Sequence, residues 1–476
     1  MLCLSCIIVG LGGILPFTTA NSIPDFLYRD VVVIGGGASG AYAAVRLRDD
    51  FGKSIALIEK QNILGGMVDT FVEEKTGNTY DFGVQSFLNV SNSMQFFDRF
   101  NISVGSSSTG PSLITEYIDF NTGEKVDFEP PSYTEQIAAV SKFLKVIEPW
   151  ESMLRPGYWN FPEPDKIPED LLIPFGEFLT KYDLEEGAPI IYSTTGLGVG
   201  NMSEVATMFA LQSFGWDMAR GLTGKMGLFV PTSGGIQSLY NAIATDLGDD
   251  VLYSTTVIEM RRSDFGVFLT VRNHKTGKVS VIVARRLLVA IEPTEDNVAT
   301  LDLSPSEWKT LSKFTYSNEF TGLVDNAVFN KSYSYFNLPS SAAPDHYLVF
   351  QREPTTASFA YSGLGHLFRV MIIGNKTSTA AEAKALAQSS FNTLLNSGHL
   401  SGPIQDQELN WAAFSTHGPM HARVSIEEVK DGFYQDLYKL QGARSTWWTG
   451  GAFAVNFQTK LWEFDEVLIP KLLEGL

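Results

Sequence analysis

Residues 30–40 read Asp30-Val31-Val32-Val33-Ile34-Gly35-Gly36-Gly37-Ala38-Ser39-Gly40, and the fold turns on them. Four branched aliphatic residues in a row, closed by glycine, are the pattern of a short strand buried on both faces. Ala41 to Leu47 then has good helix composition, and Ser54 to Ile58 is a second apolar strand that ends at Glu59. The glycines have the spacing Gly35-x-Gly37-x-x-Gly40 between strand and helix, and Glu59 follows nineteen residues after Gly40. Each part has a physical task in holding a dinucleotide. Gly35 permits a tight turn, Gly37 lets the backbone approach a pyrophosphate, and Gly40 lets the helix pack closely. Ala38 and Ser39 open the helix, whose unpaired N–H groups face the phosphate charge. Glu59, with Lys60 beside it, is placed to accept from ribose hydroxyls and to repel the 2′-phosphate of NADP.

This fingerprint serves both NAD and FAD, so the neighbouring residues decide between them. Gly65 and Gly66, followed by Met67, would bring a second backbone segment to the pyrophosphate or to the flavin edge, which a nicotinamide site does not require. With Glu59, this Gly-Gly doublet and Asp81-Phe82-Gly83, the chain resembles the flavin amine oxidase superfamily, and most closely its fungal secreted members of the β-cyclopiazonate dehydrogenase-like kind. The resemblance covers most of the chain. It implies that Gly234-Gly235 open a helix, that Thr256-Val257 lie on the strand whose backbone meets adenine, and that Trp447 to Phe453, with Gly450 and Gly451, form the last flavin-contacting segment. The helix beginning near Gln458-Thr459 would then aim its N-terminal dipole at the flavin N1/O2 locus. One departure is that amine oxidases usually carry Arg beside the Gly-Gly doublet, where this chain has Asn62, Ile63 and Met67. That puts an Arg–phosphate contact and the usual amine oxidation in doubt.

The expected fold class is α/β: a Rossmann-type, glutathione-reductase-like FAD-binding domain with an inserted mixed α+β substrate domain. The expected boundaries are a signal peptide over 1–20, FAD-binding segments over 21–90, 227–295 and 416–476, and substrate-domain segments over 91–226 and 296–415. Within these, helices are expected over Tyr133–Val146, Met202–Ala219, Thr379–Leu395 and Thr459–Leu473, and strands over Val251–Val257, Val267–Val271, Val279–Val283 and Arg286–Ile291.

A chain of 476 residues with 44% hydrophobic and 18% charged residues can bury a large core and is not disordered. Its net charge of −18, with no Lys/Arg-rich run, argues against nucleic acid as a partner. The uncharged apolar run Met1–Phe17 ends in Thr18-Thr19-Ala20, which reads as a signal peptide cleaved before Asn21 and a destination that is secreted or endomembrane lumen. Both cysteines, Cys3 and Cys6, fall inside that run, so the mature chain would hold neither a disulfide nor a cysteinyl-linked flavin. Sequons at Asn89, Asn101, Asn201, Asn330 and Asn375 agree with secretion.

No metal is expected. His417 and His421 are four apart, but Pro419 between them argues against a helical ligand pair. Their segment is read either as a surface loop or as facing the active site. Gly196-Leu197-Gly198-Val199-Gly200 lacks the third glycine of a nucleotide loop, so it reads as a substrate-domain loop and leaves no second domain for NAD(P)H. The expected activity is that of an FAD-dependent oxidoreductase taking hydride from a lipophilic small molecule, with oxygen as acceptor; the alternative is a redox-neutral double-bond isomerase or cyclase. The aromatics Trp150, Tyr158, Trp159, Phe161 and Phe175 suit a lipophilic substrate. Catalytic residues and oligomeric state are not legible.

Overall fold

The computed structural model describes residues 25–106, 113–400 and 407–476. The expected signal peptide, its two cysteines and the cleavage point before Asn21 lie outside the described residues. Among the described residues, no helix is long and apolar enough to cross a membrane.

The elements that build the site are, in chain order, β1 (Asp25–Ile34), α1 (Ala38–Val45), β2 (Ile55–Ile58), α2 (Gln237–Leu247), β3 (Thr255–Ser263), β4 (Val279–Val289), β5 (Thr315–Asp325), α3 (Ala380–Asn396), β6 (Trp411–Arg423), β7 (Thr446–Trp448) and α4 (Gln458–Leu473). A first sheet has the order Val251–Leu252, β2, β1, β4, Gly266–Asn273, β3, and β7 pairs with β4 where Gly266–Asn273 has ended. Its centre is parallel, with Ile34 opposite both Ile58 and Val289. Val31, Val32 and Val33 are fully buried, as a strand covered on both faces requires. α1 and α4 pack on one side, with Tyr42 stacked on Trp462 at 5.3 Å between ring centres. All three parts of the expected FAD-binding domain meet in this sheet.

A second sheet, in the order β6, β5, Leu367–Gly374, Thr355–Tyr361, Tyr333–Asn337, Ile114–Asp119, Glu124–Lys125, is built mostly from the segments expected to form a substrate domain. α3 covers one of its faces through Ala383, Ala387, Phe391 and Leu394 in a core of its own. Thr379 caps α3 with a reciprocal Ser/Thr–Glu box that involves Glu382, which is why the helix starts where its sequence says it should.

Five expectations need correction. The strands expected over Val279–Val283 and Arg286–Ile291 are one continuous strand, β4, and the strand expected over Val251–Val257 is interrupted at Tyr253-Ser254. The helix expected over Met202–Ala219 is two helices, Thr207–Ser213 and Trp216–Leu222, because the chain turns at Phe214-Gly215. The segment around His417 is neither loop nor helix but the middle of β6. Because β6 pairs with β5 along its length, the second sheet runs on to Arg423 and the boundary expected at 415/416 cuts through a strand.

Candidate active site

The carboxyl ends of β1, β2, β4 and β7 converge, and the glycine fingerprint lies there. Gly35 N–H donates to Ile58 O, and Ala41 N–H to Gly37 O as α1 begins. A Cβ on Gly40 would overlap the Gly35 carbonyl, so the close packing expected of that glycine is a steric necessity. Gly37 is different: a Cβ there would meet only Gly66 Cα, at 3.7 Å. Gly37 and Gly66 therefore form the two sides of one bare backbone cradle, and Gly65 N–H donates to Gly36 O at 3.0 Å to hold the second loop against the first.

Glu59 is buried at the end of β2, and both of its oxygens already have backbone donors. Gly36 N–H reaches Oε2 and Gln61 N–H reaches Oε1, each at 2.7 Å. The sequence placed Glu59 at the ribose; the structure adds that it braces the glycine loop from beneath. Lys60 is exposed beside it. β3 begins against this strand end, with Thr255 N–H donating to Glu59 O, and Val257 lies two residues further on at a register shift.

The Gly234-Gly235 turn leads into α2, which supports the doublet loop. Gln237 Nε2 donates to Leu64 O at 2.9 Å, and the Ile236 N–H is bound by Asp81. Asp81 thus caps α2, and burial pushes its carboxyl up while Thr70 and the Ile236 N–H pull it back. Met67 is half-buried on the far side of the doublet.

Thr449 N–H donates to Val289 O and delivers Gly450 and Gly451 to the end of β4, where α4 opens with Gln458 and Thr459. Ser39 Oγ at the start of α1, and Gln458 Oε1 and Thr459 Oγ1 at the start of α4, are buried without a partner. Buried polar groups are normally satisfied, so two helix N-termini carrying orphaned groups beside a bare glycine cradle fit a polar, anionic dinucleotide such as FAD. Ser39, Gly37, Gly66, Gly450, Gly451, Gln458 and Thr459 would hold it. Bound there, FAD supplies a two-electron acceptor.

Glu292 escaped the sequence reading. It follows the apolar run Leu287–Ile291 as Glu59 follows Ile55–Ile58, and that repetition was the available signal. Burial pushes its carboxyl up to about 7, against the opposing effect of the Gly451 and Ala452 N–H groups, and its Oε2 is enclosed and unpartnered. Also missed were Asp69 and Glu319, which meet His417 and His421 respectively.

The five aromatics offered as a lipophilic face belong to the core or pack on it. Tyr158 stacks on Tyr434 at 3.8 Å, Trp159 lies parallel to Phe464 at 5.8 Å, and Phe175 is fully buried against Phe178. Trp150 packs on Phe178, and Phe161 on Tyr434. Tyr158 and Phe175 are fully enclosed, while Trp150, Trp159 and Phe161 are half-buried and packed on the core, so the five do not form one lipophilic face.

Residues 33–100 match the model of an NAD(P)-binding Rossmann-like domain. Over 97% of its length the chain is 31% identical to β-cyclopiazonate dehydrogenase of Aspergillus flavus, covering 97% of that protein. It is 32% identical to an FAD-dependent oxidoreductase of Monascus ruber, over 97% of this chain and 95% of that one. Among solved structures, the CLA-producing fatty acid isomerase from P. acnes matches 94% of this chain and 99% of its own at 17% identity, with a TM-score of 0.71. Putrescine oxidase bound to putrescine matches 94% of this chain and 100% of its own at 15% identity, with a TM-score of 0.61. At such identities these two share the fold and no more.

Proposed function

The chain belongs to the family of FAD-dependent oxidoreductases that includes β-cyclopiazonate dehydrogenase, and from that premise we propose that it oxidises a lipophilic small molecule of the secondary-metabolite kind and passes the electrons to oxygen. The observation that carries the flavin site is the facing pair of backbone loops at Gly37 and Gly66, closed by two helix N-termini whose side chains await a polar partner. The redox-neutral alternative is not favoured. The relatives that share nearly the whole chain are named dehydrogenase and oxidoreductase, whereas the isomerase is a likeness of fold.

Oxygen as acceptor is supported by the single nucleotide fingerprint in the sequence, which leaves a soluble nicotinamide reductant without a domain. The reading also takes the protein to the secretory path. Asn89, Asn101, Asn330 and Asn375 are exposed, as glycan acceptors must be, and Asn201 is half-exposed.

Purified protein should be yellow, and turnover with an aromatic or polyketide-like substrate should consume oxygen and release hydrogen peroxide without NAD(P)H. A colourless protein that gains no flavin absorbance on adding FAD refutes the site. Unchanged turnover under strict anaerobiosis with no added acceptor refutes the oxidase. Secreted protein should begin at Asn21 and lose mass on endoglycosidase treatment, both read from its intact mass.

A further inference from the structure

The two faces of the second sheet are covered unequally. On one, Phe368, Val370 and Ile372 are fully buried in the core that α3 closes. Leu367, Arg369 and Met371, which alternate with them, turn to the other face by the two-residue period of a strand. Two contacts set that face toward the FAD-binding loops: Thr321 Oγ1 on β5 donates to Phe82 O at 2.9 Å, and Leu323 and Leu367 pack with Phe82 in a small core of their own. Strand pairing carries Arg369 into the row Leu323–Arg369–Ala360–Ser334 and Met371 into the next row, Thr321–Met371–Ser358–Phe336.

Cover reaches this face from two sides and stops short of the middle. On one side the hairpin of Thr70–Val72 and Thr79–Asp81 brings Phe71 and Tyr80 onto Leu323 and Leu367. On the other, Gly198 lies so close over Glu319 that a Cβ there would overlap it, and Tyr192 stacks on Phe350 beside Phe336. Between these covers Arg369, Met371, Ala360 and Ser334 stay half-exposed although their strands are inner ones, and Met371 and Ala360 enter none of the apolar cores of the described residues. Arg369 is also alone. Every other arginine that is not on the open surface has an acceptor within hydrogen-bond reach, whereas among the described residues Arg369 has none. A guanidinium carries five N–H donors and does not shed its charge, so one left without an acceptor in an apolar trough lacks an anion.

We propose that Arg369 receives the acidic group of the substrate, whose class is thereby a lipophilic acid: an apolar body lying over Met371 and Phe336, with a carboxylate or the enolate of a 1,3-dicarbonyl held in the guanidinium fork. This rests on the reading above of a lipophilic small molecule as substrate, and narrows it. The short side chains of Ala360 and Ser334 on the same row leave the guanidinium room for a ligand. In a chain of net charge −18 the general field repels an anion, so its attraction has to be local. Arg369 is a binding residue that selects the molecule and takes no part in the oxidation.

Binding to the FAD-loaded protein is measured by calorimetry with two matched pairs of probes, octanoate with octanamide and 2-naphthylacetate with 2-naphthylacetamide, in the parent, Arg369→Met and Arg369→Lys. Within a pair the apolar body is the same and only the acid differs. The parent should prefer the acid of at least one pair by about tenfold or more. Arg369→Met should bind acid and amide alike, and Arg369→Lys, which keeps the charge without the fork, should retain part of the preference. Because no partner is stranded, Arg369→Met should unfold in urea no earlier than the parent. Earlier unfolding would assign the guanidinium a structural partner and overturn the proposal. A parent without preference, or a preference that survives intact in Arg369→Met, also overturns it and leaves the lipophilic reading standing. A parent that loads FAD and binds neither member of either pair removes the lipophilic reading, and this inference with it.

Discussion

Gly37 and Gly40 lie three residues apart in the same turn, and the structure gives them separable roles. A side chain on Gly40 collides with the protein itself, whereas one on Gly37 projects into the cradle and touches nothing closer than Gly66 Cα at 3.7 Å. With its φ of −75° Gly37 has no need of glycine's conformational freedom. Gly37→Ala should therefore leave the stability of the flavin-free protein within about 0.5 kcal/mol of the parent while lowering FAD affinity, measured by urea unfolding and by flavin titration. Gly40→Ala should lose both. Glu59 carries a sharper expectation than its sequence position gave it. Its two oxygens accept from two backbone N–H groups, and the amide of glutamine has one oxygen, so Glu59→Gln leaves one donor facing an NH₂ group. The expected cost is about 1–3 kcal/mol of stability, in addition to weaker FAD binding. A stability equal to the parent would show that the bracing is idle.

At the scale of elements, the site depends on strands and helices arriving together, and ion pairs help to fix them. Arg262 on β3 has a fully buried side chain that pairs with Glu307 at 2.8 Å and with Asp302 at 2.8 Å, and Arg444, just ahead of β7, pairs with the same two acids. The network ties the strand expected to meet adenine to the strand that delivers Gly450. Removing one partner of a buried pair strands the other, so Arg262→Met should destabilise by about 3–5 kcal/mol in urea unfolding. These pairings were invisible in the sequence because they join residues up to 142 positions apart. The elements themselves were largely legible. Val31–Ile34 could only be a doubly covered strand, and Thr379 with Glu382 announced the start of α3. The Met202–Ala219 segment misled because most of its residues suit a helix, although Gly215, at which the chain turns, was a break signal the sequence did carry.

For the whole molecule, pH enters through Glu292. Its folded-state pKa is raised from 4.5 to about 7, so between those values the folded protein holds a proton that the unfolded chain has lost. Stability of the flavin-free protein must then fall as pH rises through that window, by up to about 3 kcal/mol, the loss being complete above it. Glu292→Gln removes this dependence and should be more stable than the parent at pH 8 but not at pH 5, as measured by urea unfolding at the two values. An unchanged difference between the two pH values would mean that the carboxyl is solvated.

What the sequence determined by itself was everything that rests on local constraint. A strand, a turn that tolerates no side chain at Gly40, a helix start and an acid at the next strand end lie within thirty residues, and each limits the backbone through its own sterics. They declared a dinucleotide site, and the second glycine doublet made it a flavin site. The tertiary structure alone decided which acids face which bases. Asp69 meets His417 across 348 positions, and Glu319 meets His421 across two strands whose register is shifted by bulges. It also packed the aromatics of the insertion on the core and joined β6 to β5 in the second sheet. The physical reason is that a single carboxylate or imidazole has no local signature: its chemistry is set by what is buried against it, and that neighbour is chosen only when distant strands pair.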